Sequence, residues 1–229
     1  MNIHETQARE EICRVGESLF ARGYVHATAG NISVRLDDGF LITPTDACLG
    51  QLDPARLAKL DANGVQLSGD TASKTWRLHQ RIYETARAHD PLTACVIHTH
   101  STHCVALSLR QPSTTHPELL PPITPYFVMK VGHVPHLPYL RPGDPAMAER
   151  VAAAIAHYGA HGAPIRAVML ERLGPNVWHQ DPARAMAVLE ELEETARLRL
   201  LCPDVPALAR TDIQTLRDTF GARWIDSEH

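Results

Sequence analysis

Apolar residues recur with helical spacing near the start of the chain: Ala8, Ile12, Val15 and Leu19 step by four, three and four. That spacing lines one face of a helix over residues 8–21, which Gly23 ends. The period changes to two at Ile32, Val34 and Leu36, as in a half-buried strand. Asp37-Asp38-Gly39 is a turn and Phe40-Leu41-Ile42-Thr43 a returning strand, so a hairpin is expected. Asp53 and Pro54 predict a short capped helix to Leu60. Ser73 predicts the cap of a longer helix to about His89, with Leu78, Ile82 and Ala86 on one side.

Thr93-Ala94-Cys95-Val96-Ile97-His98 has the short, largely apolar run of a buried strand, and a helix over about 102–109 follows. Residues 111–125 hold five prolines and no period, so they read as loop. Tyr126 to Val131 and the stretch around Val134 read as strands. Residues 141–145 form a turn into a helix with Met147, Val151 and Ile155 inward. Ala167 to Leu170 and Asn176 to His179 are further strands. Asp181-Pro182 pairs an N-cap with proline at the first helical position. That helix runs to about Leu201 with Met186, Leu189, Leu192 and Ala196 inward, and a last helix starts near Thr211. Strands and helices alternate without an internal repeat or a low-complexity linker. An α/β or α+β chain in one domain, residues 1–229, is expected.

Composition narrows the partners. A chain of 229 residues with 44% apolar positions buries about 70–75% of its unfolded surface and is not disordered. Its 22 Lys+Arg against 26 Asp+Glu leave a net charge of -4, which argues against nucleic acid. No apolar run approaches membrane-spanning length, and the start, Met1-Asn2-Ile3-His4-Glu5-Thr6, is polar. The five scattered cysteines include no CxxC, so reduced thiols in a cytoplasmic protein are expected.

Fourteen histidines are the unusual feature. In His98-Thr99-His100, residues i and i+2 share one face of an extended chain, so two imidazoles can converge on one metal ion. The pair sits where a buried strand ends, a common place for sites in α/β folds. The alternative is chance spacing in a His-rich chain. His103 could act behind the pair. Thr28-Ala29-Gly30-Asn31, Thr43-Pro44-Thr45-Asp46 and Thr71-Ala72-Ser73-Lys74 each offer hydroxyls and free backbone N–H groups. Together they could cradle a phosphate, or they are ordinary turn and cap chemistry.

Several segments in one register carry a family resemblance. Thr28-Ala29-Gly30-Asn31-Ile32-Ser33, Ile42-Thr43-Pro44-Thr45 and Val96-Ile97-His98-Thr99-His100 resemble the class II aldolase/adducin family. Further segments resemble its 3-oxo-tetronate 4-phosphate decarboxylase group, which is similar to L-fuculose-phosphate aldolase. These are residues 48–54, 67–70, 139–144 and 190–196. The resemblance implies a three-layer α/β/α domain around a largely antiparallel sheet. It implies tetramers with the site between subunits, and a divalent metal, zinc most often, on three histidines beside a glutamate acid/base. The implied reaction is carbon–carbon cleavage of a small phosphorylated keto sugar acid, releasing carbon dioxide and leaving dihydroxyacetone phosphate.

Carried over by position, His98 and His100 match metal ligands. Gly30, Asn31, Thr45 and Ser73 match phosphate-loop positions, and Lys74 the lysine of the decarboxylases. Tyr126 matches a tyrosine that enters the neighbour's site. Three positions depart. Thr75 stands at the family's glutamate, Leu173 at its third histidine, and Asp46 at a glycine. His133 or His136 could replace the missing ligand, or both are surface histidines. Glu171 is a further carboxylate in reach by sequence, and His79 reads as structural. A metal-dependent lyase is expected, against the alternative of a degenerate binding scaffold.

Overall fold

A computed structural model describes residues 3–225. The expectations for Met1, Asn2 and residues 226–229 lie outside them. Eight strands form one sheet in the order β4-β3-β2-β1-β5-β8-β7-β6. They are β1 (Asn31–Arg35), β2 (Gly39–Ile42), β3 (Ala58–Asp61), β4 (Gln66–Ser68), β5 (Cys95–His98), β6 (His136–Leu137), β7 (Ala167–Leu170) and β8 (Gly174–His179). Every pairing is antiparallel except β6 with β7. The six helices are α1 (Ile3–Ala21), α2 (Trp76–Ala86), α3 (Thr102–Arg110), α4 (Pro145–Ala160), α5 (Pro182–Leu201) and α6 (Arg210–Phe220).

Strand alternation sorts the helices into two layers. Cys95 and Ile97 point into a core with Ile12 and Leu19 of α1, Leu107 of α3, Leu189 and Leu192 of α5 and Ile213 of α6. Val96, Val168 and Trp178 point the other way, to Ile82 and Tyr83 of α2 and Val151 and Ile155 of α4. Period-two burial on both faces makes the three-layer α/β/α arrangement that the family resemblance implied. The proline starts of α4 and α5 are as expected: Asp144 and Asp181 accept from the N–H groups of Ala146 and Arg184.

Three local expectations are corrected. Only Pro54–Arg56 forms a helical turn, and Ala58–Asp61 is instead strand β3. Phe40 lies opposite Leu60 there, so pairing with β2 outweighs local helix preference. Ser73 does not cap α2, because its N–H is bonded to Thr43 O and Ala72 bridges Pro44. The helix therefore starts three residues later, at Trp76. Tyr126–Val131 is not a strand: Phe127–Val131 is a single π-helical turn closed by Gly132 N–H to Phe127 O. Phe127, Val128 and Val131 share one buried side of it, a helical spacing that alternation does not fit.

Candidate active site

His98 ends β5 on the face covered by α2 and α4. Asn31 of β1 and Asn176 of β8 lie directly opposite it on either side, making a polar row. The Nδ1 of His98 donates to the Pro175 carbonyl at 3.0 Å. A carbonyl only accepts, so Nδ1 carries the proton and Nε2 keeps a free lone pair. Burial, then the neighbouring His100, pushes the His98 pKa down to about 4, so the ring is neutral at pH 7. Burial and then His26 lower the pKa of His100.

The rings of His98 and His100 have centroids 5.2 Å apart and stand at 68°. Two imidazoles on one tetrahedral ion, with metal–nitrogen distances of about 2.0–2.1 Å, have centroids about 5.2 Å apart. The pair therefore fits a divalent ion as two of its ligands. Among the described residues, no three His, Cys, Asp or Glu side chains already converge.

Two glycines hold this strand end in position. A Cβ on Gly174 would lie 2.0 Å from Thr99 O, and one on Gly30 would lie 2.9 Å from His98 O. Their φ angles are +123° and +84°, which glycine alone adopts freely. Glu193 anchors the chain just beyond: it accepts from the N–H of His103 at 2.8 Å and of Cys104 at 3.0 Å. It thereby satisfies the start of α3 from a residue on α5. The His103 Nδ1 faces the same carboxylate at 2.8 Å, so His103 belongs to this anchor. Glu193 is a positioning residue that the local pattern did not single out; the acidic run 190–194 was its only signal.

A cavity of about 370 Å³ opens over the polar row. Its wall brings together Gly30, Asn31, Thr45, Ser73, Lys74, His98 and His100, all expected from sequence. Ser73, Lys74 and Thr75 stand at the start of α2, where the helix dipole favours an anion. Arg77 and Arg141 add positive charge to the same wall, against Asp46 and Asp144.

The three departures all line this cavity. Thr75 is half-buried and its Oγ1 lies 2.9 Å from Ser73 Oγ. Leu173 packs against the apolar cluster under α2 and α4. Asp46 has φ +55°, which explains a glycine at this position elsewhere; aspartate tolerates that conformation better than most residues.

The remaining candidates lie elsewhere. Neither His133 nor His136 lines the cavity, and both are buried rather than on the surface. The His133 ring stacks on Trp224 at 4.0 Å, with Nδ1 facing Glu118 and Nε2 taking the N–H of Ile225. His136 donates from Nδ1 to His116 O, and its Nε2 is buried without a partner among the described residues. Glu171 accepts from the Ser113 hydroxyl at 2.6 Å. Tyr126 is 60% exposed and does not line the cavity of its own chain. His26, which local spacing did not suggest, has its ring centroid 6.2 Å from that of His100.

His79 is structural, as expected. It is fully buried, with Nδ1 2.8 Å from Ser33 Oγ. Burial and then His98 push its pKa down to about 3. The folded state keeps the ring neutral while the unfolded chain takes a proton below its ordinary pKa of 6.5. This ring's contribution is complete above that value and is lost as pH falls toward 3. Between pH 7 and pH 5 the expected loss is about 2 kcal/mol. Urea unfolding at both pH values checks it. A His79→Gln variant with an unchanged pH dependence would show that the proton goes elsewhere.

A family model described as Class II Aldolase and Adducin N-terminal domain matches residues 10–200. The 3-oxo-tetronate 4-phosphate decarboxylase of Cupriavidus necator is 54% identical over 230 residues, 96% of this chain and 99% of that one. The protein of that name in Escherichia coli is 42% identical over 203 residues, covering 88% of this chain and 90% of its own. Among solved structures, YgbL from Escherichia coli aligns with TM-score 0.80 and 40% identity over 93% of this chain and 99% of that one. L-Fuculose-1-phosphate aldolase from Thermus thermophilus aligns with TM-score 0.70 and 28% identity, covering 88% of this chain and 98% of its own.

Proposed function

We propose, from the premise that this chain belongs to the class II aldolase and adducin N-terminal domain family, that it releases carbon dioxide from a small phosphorylated 3-keto sugar acid. Its relatives are lyases, and several carry the name 3-oxo-tetronate 4-phosphate decarboxylase. One observation favours decarboxylation over aldol cleavage. The cavity brings together the residues of the proposed anion seat and the two imidazoles, but Thr75 stands where a carboxylate base would be. Aldol cleavage requires a base to take a hydroxyl proton. A 3-keto acid enters already ionised and needs only an electron sink at its carbonyl.

Gly30, Asn31, Thr45, Ser73 and Lys74 would bind the substrate phosphate at the start of α2. His98 and His100 would hold a divalent ion, with zinc suited to nitrogen ligands; when bound, it polarises a substrate carbonyl oxygen. The bond between the carboxyl carbon and the next carbon breaks, and its electrons form an enediolate. A proton from solvent water then adds to the carbon that lost carbon dioxide, and the product is dihydroxyacetone phosphate. Lys74, exposed on the cavity wall, supplies cationic charge beside the anion. Tyr126, exposed at its own surface, would serve a neighbouring subunit of a homotetramer.

We read residues 1–229 as one domain working in the cytoplasm. No helix of the described residues is long and apolar enough to cross a membrane. The second reading, a binding scaffold without turnover, is favoured by the apolar packing of Leu173. Incubation of the metal-supplemented protein with 3-oxo-tetronate 4-phosphate separates the two. Carbon dioxide and dihydroxyacetone phosphate in equal amounts are expected. Saturable binding of the compound without either product would establish the scaffold.

A further inference from the structure

We infer that His26 is the third imidazole of the metal seat, replacing the ligand that Leu173 lacks. The inference rests on reading His98 and His100 as metal donors. The three rings form a chain: His98 to His100 at 5.2 Å, and His100 to His26 at 6.2 Å, both nearly perpendicular. The first spacing already matches two ligands of a tetrahedral ion, and the second exceeds the required distance by about 1 Å.

The backbone holds His26 close to this position. Its carbonyl accepts from Ala29 N–H at 2.9 Å, closing a turn that leads straight into Gly30 and Asn31. Asn31 pairs with His98 across the sheet, and the close approach of Gly30 to His98 O leaves no slack between turn and strand end. What remains adjustable is the His26 side chain, which is exposed. Rotation about its two side-chain torsions moves the ring without disturbing the fold. The seat is therefore completed when the ion binds.

Several other candidate donors are engaged, while Asp46 and Asp144 on the cavity wall stand as rivals to His26. His103 faces Glu193, His133 lies between Glu118 and Ile225, and Glu171 accepts from Ser113. His26 stands on the β1 side of His98, whereas Leu173 stands in the turn between β7 and β8. The third donor would thus come from the opposite side of the strand end from the position it replaces.

Cobalt(II) titration followed by visible absorption tests this, because band intensity reports coordination as well as affinity. The proteins compared are the natural chain, His26→Gln, His98→Ala, and His26→Gln with Leu173→His. His26→Gln is expected to weaken cobalt binding by at least the roughly 10–100-fold that loss of an outer-sphere partner costs. Adding Leu173→His to that variant is expected to restore it. Thermal melts of His26→Gln, at an exposed site, should match the natural chain. If His26→Gln leaves affinity and spectrum unchanged while His98→Ala abolishes binding, the metal seat stands and His26 is not part of it. If the natural chain binds no cobalt at millimolar concentration, the inference and the metal reading both fall.

Discussion

Glutamate in place of Thr75 is expected to raise aldol cleavage of L-fuculose 1-phosphate by about 10²–10⁴-fold, the worth of a positioned general base. Carbon dioxide release from a 3-keto acid should change by less than about tenfold, since that step starts from an ionised carboxylate. Thr75 lines the cavity beside Lys74 and His98, at the N-cap position of α2. The longer side chain would reach into the cavity, and its charge would be favoured by the helix dipole. The substitution breaks only the Ser73 Oγ to Thr75 Oγ1 hydrogen bond, 2.9 Å long. Dihydroxyacetone phosphate production from each substrate measures both effects. Equal gains or equal losses on the two substrates would refute the assignment of Thr75 as the position that separates the reactions.

Removing both imidazoles should have the larger effect on the proposed decarboxylation. His98→Ala with His100→Ala is expected to abolish divalent-ion binding. Loss of several kcal/mol of charge stabilisation corresponds to a fall in carbon dioxide release of about 10³-fold or more. Binding of inorganic phosphate should survive, because the proposed seat of Gly30, Thr45, Ser73 and Lys74 is built from other segments. His98 is buried in the row between Asn31 and Asn176, so His98→Asn with His100→Asn serves as a second version that keeps the row polar. A double variant that keeps metal stoichiometry and turnover would place the chemistry away from this strand end.

Much of this architecture is written in local spacing. The four-three-four steps of Ala8, Ile12, Val15 and Leu19 define α1, and Asp181-Pro182 starts α5, because a helix satisfies its own hydrogen bonds within one stretch of chain. Alternation likewise defines the hairpin of β1 and β2. His98 and His100 were recognisable because two residues on one strand end need no distant partner to share a face. The family resemblance pointed to the proposed phosphate seat by matching positions.

Position among distant segments was not readable in the same way. Lys59-Leu60 became a strand only because β2 lies alongside it. His133 resembled a spare ligand in sequence, yet its ring is held by residues 15 and 92 positions away. Glu193 reaches 90 positions back to anchor α3, and His26 meets His100 only because β1 and β5 pair. Sequence alone determined which segments become helices and strands wherever their hydrogen bonds and apolar faces follow a local period. Which imidazoles meet over the cavity, and which are sealed in the core, was decided by tertiary packing. A side chain's partner is set by chain segments far apart in sequence, and no local period encodes that distance.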